Sequence, residues 1–374
     1  MKSFSELPLS ALLKSNLSKH GFVQPTPIQE LAIEPALAGR DVVATAQTGT
    51  GKTLAFVLPI IHQISTPPAQ PGIRAVILSP TRELAIQISE AFAQMAAGTG
   101  IRAAVAVGGL SERVQLQAIR KGAQVLIATP GRLMDFLGRN LVNLSHVRTL
   151  VLDEADRMLD MGFLPTVTKI MAAMPKDRQT LLFSATIQSS VQHLVKTQVR
   201  NAVRVEAGDT TQPIAKIELH LYEVEQDCKL GLLENMLRKE PGSFLVFART
   251  KHGADKLSKK LARGGVNTAV IHGNRSQSQR THALRGFQEG DYRVLVATDV
   301  AARGIHVEGI SHVVNYDLPQ VPEDFIHRVG RTGRAGASGT ASTFATRSER
   351  SQIAQIERKL DSKLTRRALL HSSN

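Results

Sequence analysis

The chain has 374 residues, 42% hydrophobic and 21% charged. That is the composition of an ordinary soluble globular protein of about two domain lengths. The 46 Lys and Arg against 32 Asp and Glu leave a formal charge of +14, which favours a polyanionic partner, because cations on a phosphate backbone release counterions. A single cysteine, Cys228, excludes an internal disulfide and argues against a cysteine zinc site, and 4% aromatics with no Trp argue against single-strand binding on rows of stacked rings.

Residues 1–10 lack a basic stretch followed by an apolar run, so no signal peptide is expected. Short apolar runs then alternate with helical patterns. In the first half the runs are 41–45, 75–79, 125–128, 149–152 and 180–183, with helical patterns at 53–64, 82–96 and 133–137. The runs are continuous rather than alternating, as in parallel strands covered on both faces. A polar stretch, 208–213, is the best linker candidate. The pattern restarts with runs at 244–247, 268–271, 294–297, 312–315 and 340–345. Residues 348–370 are expected to form a helix or two with a solvated basic end at Lys359, Lys363, Arg366 and Arg367. The expected fold is therefore α/β: two tandem units, each a mainly parallel sheet with helices on both faces, and a cleft between them. Binding groups in such sheets gather in loops at the carboxyl ends of the strands. No run approaches the ~18 apolar residues of a membrane span, so the expectation is a cytoplasmic protein.

The segment Ala46-Gln47-Thr48-Gly49-Thr50-Gly51-Lys52-Thr53 follows an expected strand and opens an expected helix, the context a phosphate-binding loop needs. Glycines let backbone N–H groups close around phosphate oxygens and the helix N-terminus adds its positive end. Lys52 would neutralise the β- and γ-phosphates, and the Thr53 hydroxyl would ligate Mg²⁺. The alternative is a glycine-rich turn without a ligand. Asp153 and Glu154 end a later strand of the same unit. There an acidic residue can hold the Mg²⁺ shell and its neighbour can orient the attacking water; a helix cap or solvated turn is the alternative for such a pair standing alone.

Asp153-Glu154-Ala155-Asp156, with these motifs in this order, resembles the DEAD-box helicases of superfamily 2 from about Phe4 to Gly336. Among them the bacterial RhlE-like group is the most similar in appearance. The resemblance implies two RecA-like domains, 1–208 and 215–374, joined by a linker at 209–214. It implies ATP and Mg²⁺ as cofactors, RNA as the partner and a monomer, with an RNA-dependent ATPase that locally unwinds short duplexes. Residues 21–29 look like the family's Q motif, in which Phe22 packs on the base, Gln29 reads the adenine edge and Thr26 is a further nucleotide-binding residue; Phe4 is similar to the isolated upstream aromatic. Nucleotide contacts would come from Thr48, Gly49, Thr50, Gly51, Lys52 and Thr53, with Thr53 and Asp153 on the metal and Glu154 on the water. Thr81, Arg82, Gly109, Thr129 and Arg132 are similar to the RNA-contacting motifs of the first domain, and Arg280 and Thr298 to those of the second, as is Phe247-Ala248-Arg249-Thr250. Ser184 and Thr186 resemble the motif that couples hydrolysis to strand separation. His327, Arg331 and Arg334 belong to what resembles the final motif, whose two arginines would reach the γ-phosphate.

One position departs from the pattern. Ala302-Arg303-Gly304-Ile305 is followed by His306, where the family has an aspartate that accepts a hydrogen bond from the ATP ribose. Imidazole has at most one acceptor nitrogen, so nucleotide-driven closure should be weaker. The rival reading is a non-processive RNA clamp or scaffold that closes poorly because of His306.

Overall fold

The apolar runs become the strands of two all-parallel sheets. The computed structural model describes residues 3–46, 49–65, 71–207, 217–302, 309–333 and 339–368. The chain divides into two compact units, Met1–Thr210 and Thr211–Asn374; the expected linker, 209–214, lies outside the described residues.

In the first unit the strands are β1 (Val42–Thr45), β2 (Ala75–Leu78), β3 (Ala103–Ala106), β4 (Val125–Ala128), β5 (Thr149–Leu152), β6 (Gln179–Ser184) and β7 (Val203–Glu206). Their order across the sheet is β3-β4-β2-β5-β6-β1-β7, every pair parallel. Successive residues of one strand feed opposite cores. Val42 and Ala44 of β1, Ala75 and Ile77 of β2, and Val125 and Ile127 of β4 join one apolar cluster. Val43, Val76 and Leu78, and Leu126 and Ala128 join the other. The period of two along each strand explains the partition, and burial on both faces explains why the runs are continuous. Helices Pro27–Leu37, Lys52–Ser65 and Arg82–Met95 cover the first face, and Pro130–Gly138, Leu164–Ala172 and Ser189–Gln198 the second.

The second unit contains β8 (Ile217–Glu223), β9 (Phe244–Phe247), β10 (Thr268–Ile271), β11 (Val294–Ala297), β12 (His312–Asn315), β13 (Gly339–Ala345) and β14 (Thr365–Arg367). The order is β10-β11-β9-β12-β13-β8-β14. Renumbered from its own first strand, this is the order of the first sheet. The two units are copies of one topology.

Two differences from the sequence reading have a physical cause. Residues 348–370 are not all helix: Arg350–Leu360 is helical, Asp361 ends it in a left-handed conformation (φ 49°), and β14 then pairs in parallel with β8. The strands β3, β7 and β8 had no place in the reading. β7 lies at a sheet edge and β8 one strand in from an edge, and both interleave polar with apolar residues, so they lack a continuous apolar run; β3, also at an edge, is a short alanine-rich segment that the reading passed over. No helix among the described residues is long and apolar enough to cross a membrane.

Candidate functional site

The loops after β1 to β6 all lie at the carboxyl edge of the first sheet, and each carries one of the motifs. After β1, Gly49 (φ 90°) and Gly51 (φ 86°) take left-handed conformations that cost a side chain about 1–2 kcal/mol. At Gly51 space is closed as well, since a Cβ would stand 2.5 Å from Gln29 Nε2 and 3.1 Å from Thr26 Oγ1. The approach is close because Thr26 and Gln29 clasp the loop: Thr26 Oγ1 donates to Thr50 O (2.8 Å) and Gln29 Nε2 to Gly51 O (2.8 Å). Gln29 Oε1 accepts from Thr26 N at 2.9 Å. These bonds use one N–H and one oxygen lone pair of an amide that has two of each. Lys52 opens the helix Lys52–Ser65, is buried, and donates through Nζ to Ala46 O at 2.7 Å; Thr53 follows, half-buried. Thr48 lies outside the described residues. Phe22 is 38% exposed, whereas Phe4 is buried in the core and its N–H donates to Val23 O at 3.3 Å.

After β5, Asp153 is buried, and its Oδ1 accepts from Glu154 N at 3.0 Å. Burial pushes the Asp153 carboxyl up to about 7, against the downward pull of Lys52. Glu154 is one of four non-glycine residues with positive φ (50°) among those described. Its carboxylate is held by Arg157 Nη1, and both side chains are 7% exposed. Asp156, a residue the sequence reading gave no role, is the hub that ties this loop to β6. Its Oδ2 accepts from Ala185 N (3.1 Å), Thr186 N (2.8 Å) and Thr186 Oγ1 (2.9 Å). Ser184 Oγ in return accepts from Asp156 N at 3.2 Å and donates to Thr186 O at 2.7 Å. Phe56, in the helix that Lys52 opens, packs edge-on against Phe183 of β6 with centroids 5.3 Å apart, so the same strand anchors both loops.

The remaining loops of this edge carry cations and exposed amides. Thr81 caps the helix Arg82–Met95, accepting from Leu84 N at 3.3 Å. The Arg82 guanidinium lies against the backbone after β3: a Cβ on Gly109 would come 2.2 Å from Arg82 Nη1. Gln115, another residue the sequence reading passed over, fixes that turn by accepting from Val107 N (2.9 Å) and donating to Val107 O (3.0 Å). Thr129 sits at the N-cap of Pro130–Gly138, and Arg132 lies over the Phe136 ring (5.3 Å), 3.8 Å from Glu112.

In the second unit Thr298 and Arg280 are largely buried, Thr298 donating through its N–H to Ile271 O at 3.3 Å. Arg331 is 3% exposed and donates through Nε to His327 O at 3.3 Å. It lines a cavity of about 410 Å³ with His312, Thr332 and Gly333. Arg328, unassigned in the sequence reading, donates Nε and Nη2 to the two oxygens of Asp299, and Nη1 to Asp317 O (2.7 Å) and Asn315 Oδ1 (3.1 Å). Signals for it were present, since four basic side chains fall within 327–334. His306 and Arg334 lie outside the described residues.

Residues 26–194 match the DEAD/DEAH box helicase family, and 228–336 match the helicase conserved C-terminal domain. An ATP-dependent RNA helicase CshA of Limosilactobacillus reuteri is 42% identical over 87% of this chain and 66% of its own length. A DEAD-box ATP-dependent RNA helicase CshA of Geobacillus kaustophilus is 41% identical over 88% of this chain and 70% of its own. The chain belongs to the DEAD/DEAH box helicase family. It spans just under two thirds of the first of these relatives. As a DEAD-box protein it shares the tandem RecA-like fold: the structure of S. cerevisiae Dbp5 bound to RNA and ADP BeF3 covers 99% of it, with a TM-score of 0.87 at 34% identity. The bacterial DEAD-box relatives just named are CshA proteins, so the RhlE-like assignment gains nothing from them.

Proposed function

We propose that the chain is an RNA-dependent ATPase that uses ATP hydrolysis to separate short RNA duplexes. The observation that carries this reading is the convergence, at one sheet edge, of the Lys52 loop, buried Asp153 and a ring of arginine and amide donors. RNA and a nucleotide analogue on Dbp5 support the same pair of ligands here.

The residues fit ATP with Mg²⁺. The loop around Gly51 is a cradle that a Cβ would fill, and Asp153 is a carboxyl with a cation close by. Among the described residues no group of three or more His, Cys, Asp or Glu could hold an ion alone. That matches Mg²⁺, which takes one or two protein oxygens and completes its octahedron with phosphates and water. Bound there, Mg²⁺ would neutralise charge on the β- and γ-phosphates. In this reading Lys52 and the amides of Gly49, Thr50 and Gly51 hold the phosphates, with Thr53 and Asp153 on the metal. Phe22, Thr26 and Gln29 serve the base, and Glu154 orients the attacking water. Arg82, Gly109, Thr129, Arg132, Arg280 and Thr298 hold the RNA backbone, which makes binding largely independent of sequence. Asp156, Ser184 and Thr186 connect the two sets through the bonds described above. Arg331 and Arg334, with His327, are the second domain's contribution to the phosphate chemistry in this reading, with domains 1–208 and 215–374 and a linker at 209–214. The protein works as a cytoplasmic monomer.

ATP turnover with and without single-stranded RNA tests the reading, on this protein and on His306→Asp. Stimulation by RNA is expected in the unaltered protein. Stimulation only after His306→Asp would locate a defect at the ribose contact. Absence of stimulation in both would overturn the helicase reading and leave an RNA clamp.

A further inference from the structure

The shared strand order lets the two units be compared position by position. In the first, the chain leaves β1 and reaches Lys52 as the first residue of the next helix, and Asp153 follows β5 directly. In the second, the chain leaves β8 and reaches Lys229 as the first residue of the next helix, and Asp317 stands two residues after β12, the counterpart of β5. Lys229 Nζ lies 3.8 Å from Asp317 Oδ1. The second unit therefore keeps the lysine and the carboxylate of a nucleotide site. It lacks the phosphate loop, because Val224, Glu225, Gln226, Asp227 and Cys228 include no glycine.

The place of the anion is taken by a side chain of the protein itself. Glu349, which follows β13, brings Oε2 to 3.9 Å from Lys229 Nζ. Its carboxylate is fixed by Thr346, whose N–H (2.9 Å) and Oγ1 (3.1 Å) donate to the same oxygen. Lys229 is 0% exposed and donates to Tyr316 O at 3.0 Å. Burial pulls its ammonium below the usual lysine range while Asp317 and Glu349 pull it back up. Both carboxylates face outward to one residue. Asp317 Oδ2 accepts from Arg249 N, and Glu349 Oε1 accepts from Arg249 Nη2, each at 2.9 Å. Arg249 is 46% exposed on its side chain, stands at the carboxyl end of β9 and is held at both its backbone and its guanidinium.

We infer that Lys229, at the vestigial nucleotide position of the second unit, is a positioning residue that holds Asp317 and Glu349 so that they present Arg249 to the RNA backbone. The inference rests on the proposed RNA-binding role and adds to it a buried residue that touches no ligand. Without the Lys229 charge the two carboxylates repel each other across the space it fills, and Arg249 loses the geometry of both bonds.

The test is RNA affinity measured against salt, with the RNA concentration for half-maximal ATP turnover, on Lys229→Met, Lys229→Arg and Arg249→Ala in the full chain. Lys229→Met is expected to weaken RNA binding about tenfold, the factor of one lost charged contact. It should also reduce the salt slope by about one, as expected for one phosphate contact. The half-maximal RNA concentration should rise while turnover at saturating RNA is kept, and Lys229→Arg should recover part of the loss. The double variant Lys229→Met with Arg249→Ala should bind RNA no more weakly than Arg249→Ala alone. An unchanged salt slope, or losses that add in the double variant, overturns the inference. Should Lys229→Met not fold, Glu349→Ala carries the test: weaker RNA binding supports the inference, and unchanged or tighter binding overturns it. If Arg249→Ala leaves RNA binding intact while RNA still stimulates turnover, the inference fails and the proposed function stands. If the unaltered protein does not bind RNA, both fail.

Discussion

Arg328 grips Asp299 with a fork of two hydrogen bonds, Nη2 reaching Oδ2 at 2.7 Å, inside a side-chain environment that leaves the arginine only 2% exposed. Its plane lies over Phe247, 4.9 Å from the ring centroid. The pair locks the helix Pro322–Val329 to the turn after β11, two segments that bear candidate functional residues. Removing one partner of a fully buried pair costs about 3–5 kcal/mol; with the Asp299 side chain 20% exposed, the loss here belongs at the lower end, about 3 kcal/mol. Arg328→Ala is expected to lose that much in urea unfolding of the whole chain. Arg328→Lys should recover little of it, because an ammonium cannot make the fork.

Glu154, proposed above to orient the attacking water, has a backbone conformation unusual for its residue type. Glu154→Gln keeps the shape and removes the basicity. ATP turnover should fall about 10²–10⁴-fold, the range for a lost general base, while equilibrium binding of a fluorescent ATP analogue persists. Equal loss of binding and turnover would remove Glu154 from the chemistry.

The raised Asp153 carboxyl gives a pH dependence whose sign is fixed. With an apparent value of about 7, the group is protonated below that pH, and a proton would compete with the Mg²⁺ proposed to bind there. Metal affinity in the presence of nucleotide should fall as pH is lowered from 8 to 6. The metal-free protein should behave oppositely. A carboxyl whose folded value lies above its unfolded one binds protons more readily when folded, so metal-free stability rises as pH falls through about 7. Both trends should vanish in Asp153→Asn, as followed by titration calorimetry and thermal melting.

Gly109 combines a left-handed conformation (φ 77°) with the Arg82 guanidinium pressed against it. Gly109→Ala should cost about 1–2 kcal/mol from the backbone alone. It should also push Arg82 from its seat, weakening RNA binding measured by fluorescence anisotropy. An unchanged RNA affinity with Arg82 displaced would separate this arginine from the interface.

The central strands of both sheets were legible because each is buried on two faces and leaves an uninterrupted apolar run, as β2 and β9 do. The strands that escaped were β7 and β8, which interleave polar and apolar residues, the alanine-rich β3, and the edge strand β14, Thr-Arg-Arg, which is exposed throughout and has no apolar residue to read; the edge strand β10, Thr-Ala-Val-Ile, was read. The candidate site was legible where a motif names its residues, as at Lys52 and Asp153. What escaped were side chains whose partners are far along the chain. Asp156 meets Thr186, and Lys229 meets Glu349. Sequence spacing carries no trace of such pairs, because the sheet order that joins them is itself a product of folding.

The position of β1 has a consequence for how the molecule is made. Its neighbours in the sheet are β6 and β7, with Val42 paired to Leu181 on one side and to Val203 on the other. The strand that carries the Lys52 loop is among the earliest to be synthesised, yet it gains its first ladder partner only when a chain segment about 140 residues later appears. Such distant pairing is slow to form, and on the ribosome it delays the nucleotide pocket until nearly the whole first unit has emerged. A nascent chain halted before β6 would contain every residue of the Lys52 loop, and β2 to β5 could pair, but β1 would have no partner strand to hold that loop. Any ligand-assisted folding of this protein is therefore a late event, confined to a unit that has already closed its sheet.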